Sequence, residues 1–176
     1  ATSVREYEKD TVRVISGVYD KNNGTYNSLV ILPSPIGSNC EKNWLPISNT
    51  DMFIYGWHPY RVTNSSGKIL KEIQTPPLFS LFRGSANPVK KDDCYWALVH
   101  MVDYSKPKVY HHCLIELNKS LVPTRVTLPF VFKSPSIEFC VSFRLIETSV
   151  EFYVSFMDKD PHKITIESSQ FEWVSI

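Results

Sequence analysis

Tyr95-Trp96-Ala97-Leu98-Val99-His100 is the stretch on which the fold turns. It is apolar, aromatic and β-branched, too short for a helix, and it follows the polar turn Lys90-Lys91-Asp92-Asp93, so it reads as a buried strand. Two other stretches share its character: Met52-Phe53-Ile54-Tyr55-Gly56-Trp57-His58 after Asn49-Thr50-Asp51, and Glu151-Phe152-Tyr153-Val154-Ser155-Phe156 after Glu147-Thr148-Ser149. The equivalent aromatics Phe53, Trp96 and Phe152 are 43 and then 56 residues apart. That period suits a four-stranded propeller blade of roughly 40 to 50 residues.

Outward from these centres the same signals continue. Short runs rich in Val, Ile, Thr and aromatics, bounded by Gly, Pro, Asn and Asp, predict strands over 11–19, 26–32, 44–47, 52–57, 68–73, 95–102, 109–117, 125–128, 137–145, 151–157 and 163–167. No window keeps helical spacing for three turns, and the class is all-β. Asp20-Lys21-Asn22-Asn23-Gly24 closes an antiparallel hairpin, because Asn and Gly accept positive φ cheaply. The expected architecture is a single β-propeller-type domain over 1–176: a partial blade at 1–35 and blades at 36–80, 81–130 and 131–176. About three to three and a half blades leave a five-bladed ring incomplete, which implies further blades from the same or another chain. A two-sheet β-sandwich is the competing fold and needs no missing part.

The chain has 176 residues, with 19 Lys and Arg against 18 Asp and Glu, and lacks the basic patch that a phosphate backbone attracts. Nucleic acid is therefore not an expected partner, and no segment has the roughly 20 apolar residues of a membrane span. Cys40, Cys94, Cys113 and Cys140 are widely spaced, which favours free thiols over a zinc site or a disulfide framework. Sequons at Asn23, Asn64 and Asn118 fall in predicted turns. The compartment stays open, with a lean toward the cytoplasm.

Polar residues recur just before the aromatic strands, in Cys40-Glu41-Lys42-Asn43-Trp44, Phe82-Arg83-Gly84-Ser85-Ala86-Asn87 and Ser136-Ile137-Glu138-Phe139-Cys140. In a propeller such positions converge on one central pocket. Glu41 and Glu138 are then the natural pair for glycosidic chemistry, one protonating the leaving oxygen and the other activating water or attacking the sugar. The bland reading of Glu138 is a solvent-facing position on an alternating strand. Lys42, Asn43, Arg61, Arg83, Ser85 and His100 are candidates to hold a sugar, a phosphate or a nucleotide sugar, and salt bridges account equally well for the cations. His111 is a candidate for a sugar hydroxyl. His111 and His112 point to opposite faces of a strand, so they do not chelate one metal together, and no metal or cofactor is expected. Trp57 or Trp44 is the aromatic expected to stack on a pyranose.

As a set, Glu41-Lys42-Asn43-Trp44, Tyr55-Gly56-Trp57-His58-Pro59, Phe82-Arg83-Gly84-Ser85, Trp96-Ala97-Leu98-Val99-His100, Tyr110-His111-His112, Pro129-Phe130-Val131-Phe132 and Ile137-Glu138-Phe139 resemble the five-bladed propeller domains that accompany glycosyltransferases in bacteria and large DNA viruses. These are relatives of the inverting mannoside phosphorylases and hydrolases. The resemblance covers about 8–160, with Glu8-Lys9-Asp10-Thr11-Val12-Arg13 as a disturbed form of a Glu-Asp-Pro-Arg segment. It implies a carbohydrate-active domain of a glycosyltransferase-like or glycoside phosphorylase/hydrolase-like protein. The alternative is a non-catalytic sugar-binding or structural assembly module of a virion or cell surface.

Overall fold

A computed structural model describes residues 2–6 and 10–176, so Glu8 and Lys9 of the 8–13 segment lie outside the described residues. The chain forms two compact units, Ala1–Gln74 and Thr75–Ile176.

In the first unit, β1 (Thr2–Glu6), β2 (Thr11–Asp20) and β3 (Thr25–Ile31) form one antiparallel sheet. The β2–β3 turn forms because the Asp20 carboxylate accepts the backbone N–H groups of Asn22 (2.9 Å) and Asn23 (3.4 Å), while Gly24 takes φ 65°. A second sheet, in the order β4 (Leu45–Pro46), β5 (Met52–Trp57), β6 (Tyr60–Asn64) and β7 (Ile69–Ile73), is also antiparallel. Val14, Leu32, Trp44 and Phe53 form the buried cluster between the two, with Tyr55 against it.

The second unit has a five-stranded sheet in the order β15–β11–β10–β9–β8, built from β8 (Arg83–Lys91), β9 (Cys94–Asp103), β10 (Val109–Asn118), β11 (Pro123–Thr127) and β15 (Trp173–Ser175). It also has a three-stranded sheet of β12 (Glu138–Ile146), β13 (Ser149–Phe156) and β14 (Asp160–Glu167). The opening stretch lies on β9, where Trp96 to His100 are all buried, which explains its unbroken apolar run. One core joins the sheets. Ala86, Trp96, Leu98 and Leu114 meet Cys140, Phe143, Val150, Phe152, Val154 and Phe156. Phe152 is at its centre, with ring centroids 5.0 Å from Phe132, 5.9 Å from Phe143, 6.1 Å from Phe130 and 6.2 Å from Phe171.

The short β15 is fastened by side chains as well as by its ladder to β11. Glu116 accepts both Nε (2.8 Å) and Nη2 (2.6 Å) of Arg125 and the Trp96 indole N–H (3.2 Å). The Arg125 guanidinium covers the Trp173 ring at 4.7 Å, and that ring packs 5.0 Å from Trp96.

The expected propeller is corrected by this topology. Among the described residues there are four discrete sheets of three, four, five and three strands, and none closes into a ring. Sheets paired through a common core fit the competing sandwich-like architecture better, with four sheets rather than two. The 43 and 56 spacing has a local cause: β5, β9 and β13 are each a middle strand with antiparallel neighbours on both sides. A meander sets that period by itself, whereas ring closure needs pairing between distant segments. The segments 1–35, 36–80 and 81–130 hold β1–β3, β4–β7 and β8–β11; 131–176 holds β12–β14 together with β15, which returns to the third sheet.

Candidate functional site

The two glutamates expected to act as a catalytic pair occupy different units, each enclosed by donors. In the first unit, the Glu41 N–H bonds the Val12 carbonyl at 2.9 Å, and the residue is 3% exposed. Its carboxylate accepts the Ser34 hydroxyl, the Trp44 indole N–H at 3.1 Å and the Tyr55 hydroxyl at 3.2 Å. Asn43 turns the chain between Glu41 and Trp44 with φ 64°, which asparagine tolerates better than most residues. Burial and the neighbouring Glu41 charge push the Tyr55 hydroxyl up to about 12, so it stays a donor. Lys42 is exposed beside this knot, and Arg61 bonds Glu72 at 2.6 Å. Trp57 is buried, 5.6 Å from the Tyr60 ring, and Trp44 packs on Phe53 and Tyr55, so neither presents an open face to a sugar. Arg13 donates to the Ser38 carbonyl at 2.7 Å. Glu41 is thus a structural acceptor: Glu41→Ala is expected to lower the unfolding free energy of this unit by about 2 kcal/mol. Urea unfolding followed by Trp44 fluorescence checks this, and an unchanged midpoint would refute it.

Glu138, at the start of β12, is fully buried rather than facing solvent. Three consecutive backbone N–H groups donate to it: Phe132 at 2.6 Å to Oε2, Lys133 and Ser134 each at 3.0 Å to Oε1. The carboxylate pins the 132–134 loop to its own strand. The Ser85 hydroxyl likewise ties β8 to β12 through the Cys140 carbonyl at 2.6 Å. His100 is buried, stacked 5.4 Å from Tyr110 and edge-on to Phe139 at 5.4 Å.

Arg83 and His111 do meet at an open site. With Ser80, Met101, Asp103 and Tyr104 they line a cavity of about 300 Å³ in the second unit. Ser80 comes from the 3-10 turn Pro77–Leu81, which Pro76 and Pro77 initiate. Asp103 and Tyr104 come from the end of β9 and the bend after it. Asp103 accepts the Ser105 N–H at 2.8 Å, and hydrogen bonds from Ser105 hold its carboxyl below the usual range, with His111 adding to the effect. The Lys108 ammonium sits 5.6 Å from the Tyr104 ring and 5.0 Å from Tyr110, adding positive charge beside the cavity. Asp103, Tyr104 and Ser80 were not among the sequence candidates; Asp103-Tyr104-Ser105-Lys106-Pro107-Lys108 reads as a polar turn, and nothing local marks a turn as a cavity wall.

The chain matches no protein family, no curated protein and no solved structure. With no family match and no closed ring, the resemblance to glycosyltransferase-associated propellers is withdrawn, and with it the reading as a glycosyltransferase or glycoside hydrolase relative. All four cysteines are free; Cys113 and Cys140 are buried and Cys40 is exposed. Among the described residues no cluster of three His, Cys, Asp or Glu side chains is arranged to hold a metal, and no helix is long and apolar enough to cross a membrane.

Proposed function

We propose that this chain is a non-catalytic binding module that takes a carbohydrate in the cavity lined by Arg83, Asp103, Tyr104 and His111. One observation carries the reading: the open cavity holds polar hydrogen-bonding groups beside an exposed aromatic, while Glu41 and Glu138 are consumed by internal hydrogen bonds. A tyrosine face covers the C–H face of a sugar ring, and a guanidinium with a carboxylate bonds neighbouring hydroxyls. Glycosidic cleavage generally uses two cooperating carboxyl groups, and among the described residues the only carboxyl group lining this cavity is that of Asp103.

Screening the chain on a saccharide array, then titrating the best binder by calorimetry, tests this. Tyr104→Ala and Arg83→Ala are each expected to weaken binding by about tenfold, equivalent to about 1.4 kcal/mol, with unfolding midpoints unchanged. Saccharide binding indifferent to both substitutions would overturn the site. A wild-type chain that binds no saccharide leaves the second reading, an assembly module. Val18, Tyr19, Tyr26, Leu29 and Val30 on the β2–β3 hairpin are all more than half exposed, and that favours it.

A further inference from the structure

Cross-strand register places a row of basic side chains on one face of the five-stranded sheet. Arg83 of β8 is opposite His100 of β9, and His100 is opposite His112 of β10. Directly opposed residues share a face, so the two imidazoles are neighbours. Both are buried, at 3% and 0% exposure. His100 Nδ1 and both ring nitrogens of His112 lack a partner of full hydrogen-bond geometry, although the Glu138 backbone lies near enough to His112 to favour its protonated form slightly. Such orphans are rare in folded proteins, because an unpaired buried polar atom keeps its full desolvation cost.

One segment provides much of the cover. Phe130 and Phe132 place rings 6.1 and 4.7 Å from the His112 imidazole, and Phe139 is edge-on to His100. Residues 130–136 are held by a few backbone bonds, whereas 137–139 belong to the three-stranded sheet, where Ile137 accepts the Met157 N–H at 2.8 Å and Glu138 and Phe139 pair with Phe156 and Ser155. Phe130 and His112 exchange two at 2.8 and 2.9 Å, the Tyr110 N–H reaches the Ser136 carbonyl at 3.0 Å, and Glu138 accepts the Phe132, Lys133 and Ser134 N–H groups.

We infer that the segment 130–136 is an acid-released flap, closed over neutral His100 and His112 and opened when those two rings take up protons.

The charged and titratable surroundings give the direction. Facing the pair are Arg83 from β8, Lys108 and Tyr110 along β10, and Glu138, whose backbone reaches His112, from the start of β12, while His111 acts on His112 from the other face of the strand. Among the described residues Glu138 is the one acid in this set, and its carboxylate is already occupied by three N–H donors. An imidazolium in the closed state would therefore sit among cations with no free carboxylate. Burial, and then Arg83 and Lys108, bring His100 down to about 4; burial, and then His100 and His111, bring His112 down to about 3. In the open state each ring returns to its ordinary value of 6.5. The open form thus binds more protons below pH 6.5, and closure is favoured above it. Between pH 7.5 and 5, the open-to-closed ratio rises about 30-fold for each histidine, and about a thousandfold if both rings are released.

The inference is independent of any ligand in the cavity. Its test is amide hydrogen exchange on the whole chain at pH 7.5 and 5.0, corrected for intrinsic rates. Expected is a loss of protection at Phe132, Lys133 and Ser134 of at least 30-fold at pH 5.0, exceeding any change at Leu98 and Leu114 in the sheet centre. His100→Phe with His112→Phe should abolish that dependence. Unchanged protection of the three amides in the wild-type chain overturns the inference, whether or not the double variant folds. So does a loss shared equally by Leu98 and Leu114, which reports unfolding of the whole unit, or a dependence that survives in a folded double variant.

Discussion

Phe152→Ala is expected to lower the unfolding free energy of the Thr75–Ile176 unit by about 4 kcal/mol, the upper part of the range for large-to-small core substitutions. The ring is fully buried and touches four other phenylalanines drawn from the 130–132 segment, β12 and the stretch before β15. Truncation removes the transfer free energy of the ring and leaves a hole that four neighbours on three different elements cannot all move to fill. Ring pairing adds about 0.5–1.5 kcal/mol per contact beyond area burial. For a unit of about 100 residues the melting temperature should fall by roughly 20 °C. Urea unfolding monitored through Trp96 checks it, and a loss below about 1.5 kcal/mol would mean that Phe152 is not the centre of the core. Phe152→Leu, which keeps most of the volume, should recover more than half the loss.

Glu138→Ala is expected to cost about 3 kcal/mol in the same unit. The carboxylate satisfies three N–H groups at once, and hydrogen bonds to a charged acceptor are worth about 1.5–3 kcal/mol each, partly recovered here because Ser134 reaches water. Glu138→Gln retains one carbonyl acceptor and should fall between. Both variants, kept below their melting temperatures, should bind saccharide as the wild type does. A Glu138→Ala protein of wild-type stability that has lost saccharide binding would return Glu138 to a functional role.

Those results would also mark what the sequence disclosed. Most strands were legible, because each buried face advertises itself by β-branched and aromatic residues at the right spacing. β8 was not: Arg83-Gly84-Ser85-Ala86-Asn87-Pro88-Val89-Lys90-Lys91 has the composition of a turn, and it stays paired to β9 only through two register shifts. β6 was hidden behind His58-Pro59, and β15 is only three residues long. The polar strand starts were visible, but their chemistry was not. Glu41 and Glu138 carry no sequence mark that three donors will close on each, since Tyr55 comes 14 residues after Glu41 and the 132–134 amides belong to the backbone. Arg83 and His111 meet Asp103 and Tyr104 only through the sheet register and the bend after β9.

The return of β15 to β11 bears on the order in which the chain can fold as it is made. Every strand of the first unit has been made by Ile73, so its two meanders can form behind the advancing chain. The second unit is different, because the edge of its five-stranded sheet waits for Trp173–Ser175, after the whole three-stranded sheet has been synthesised. Until then β11 is an open edge and Trp96 lacks its Trp173 neighbour. The interval from Thr127 to Trp173 is therefore the window in which nascent chains are most exposed to wrong pairing, and a chaperone that binds strand edges would have its work there.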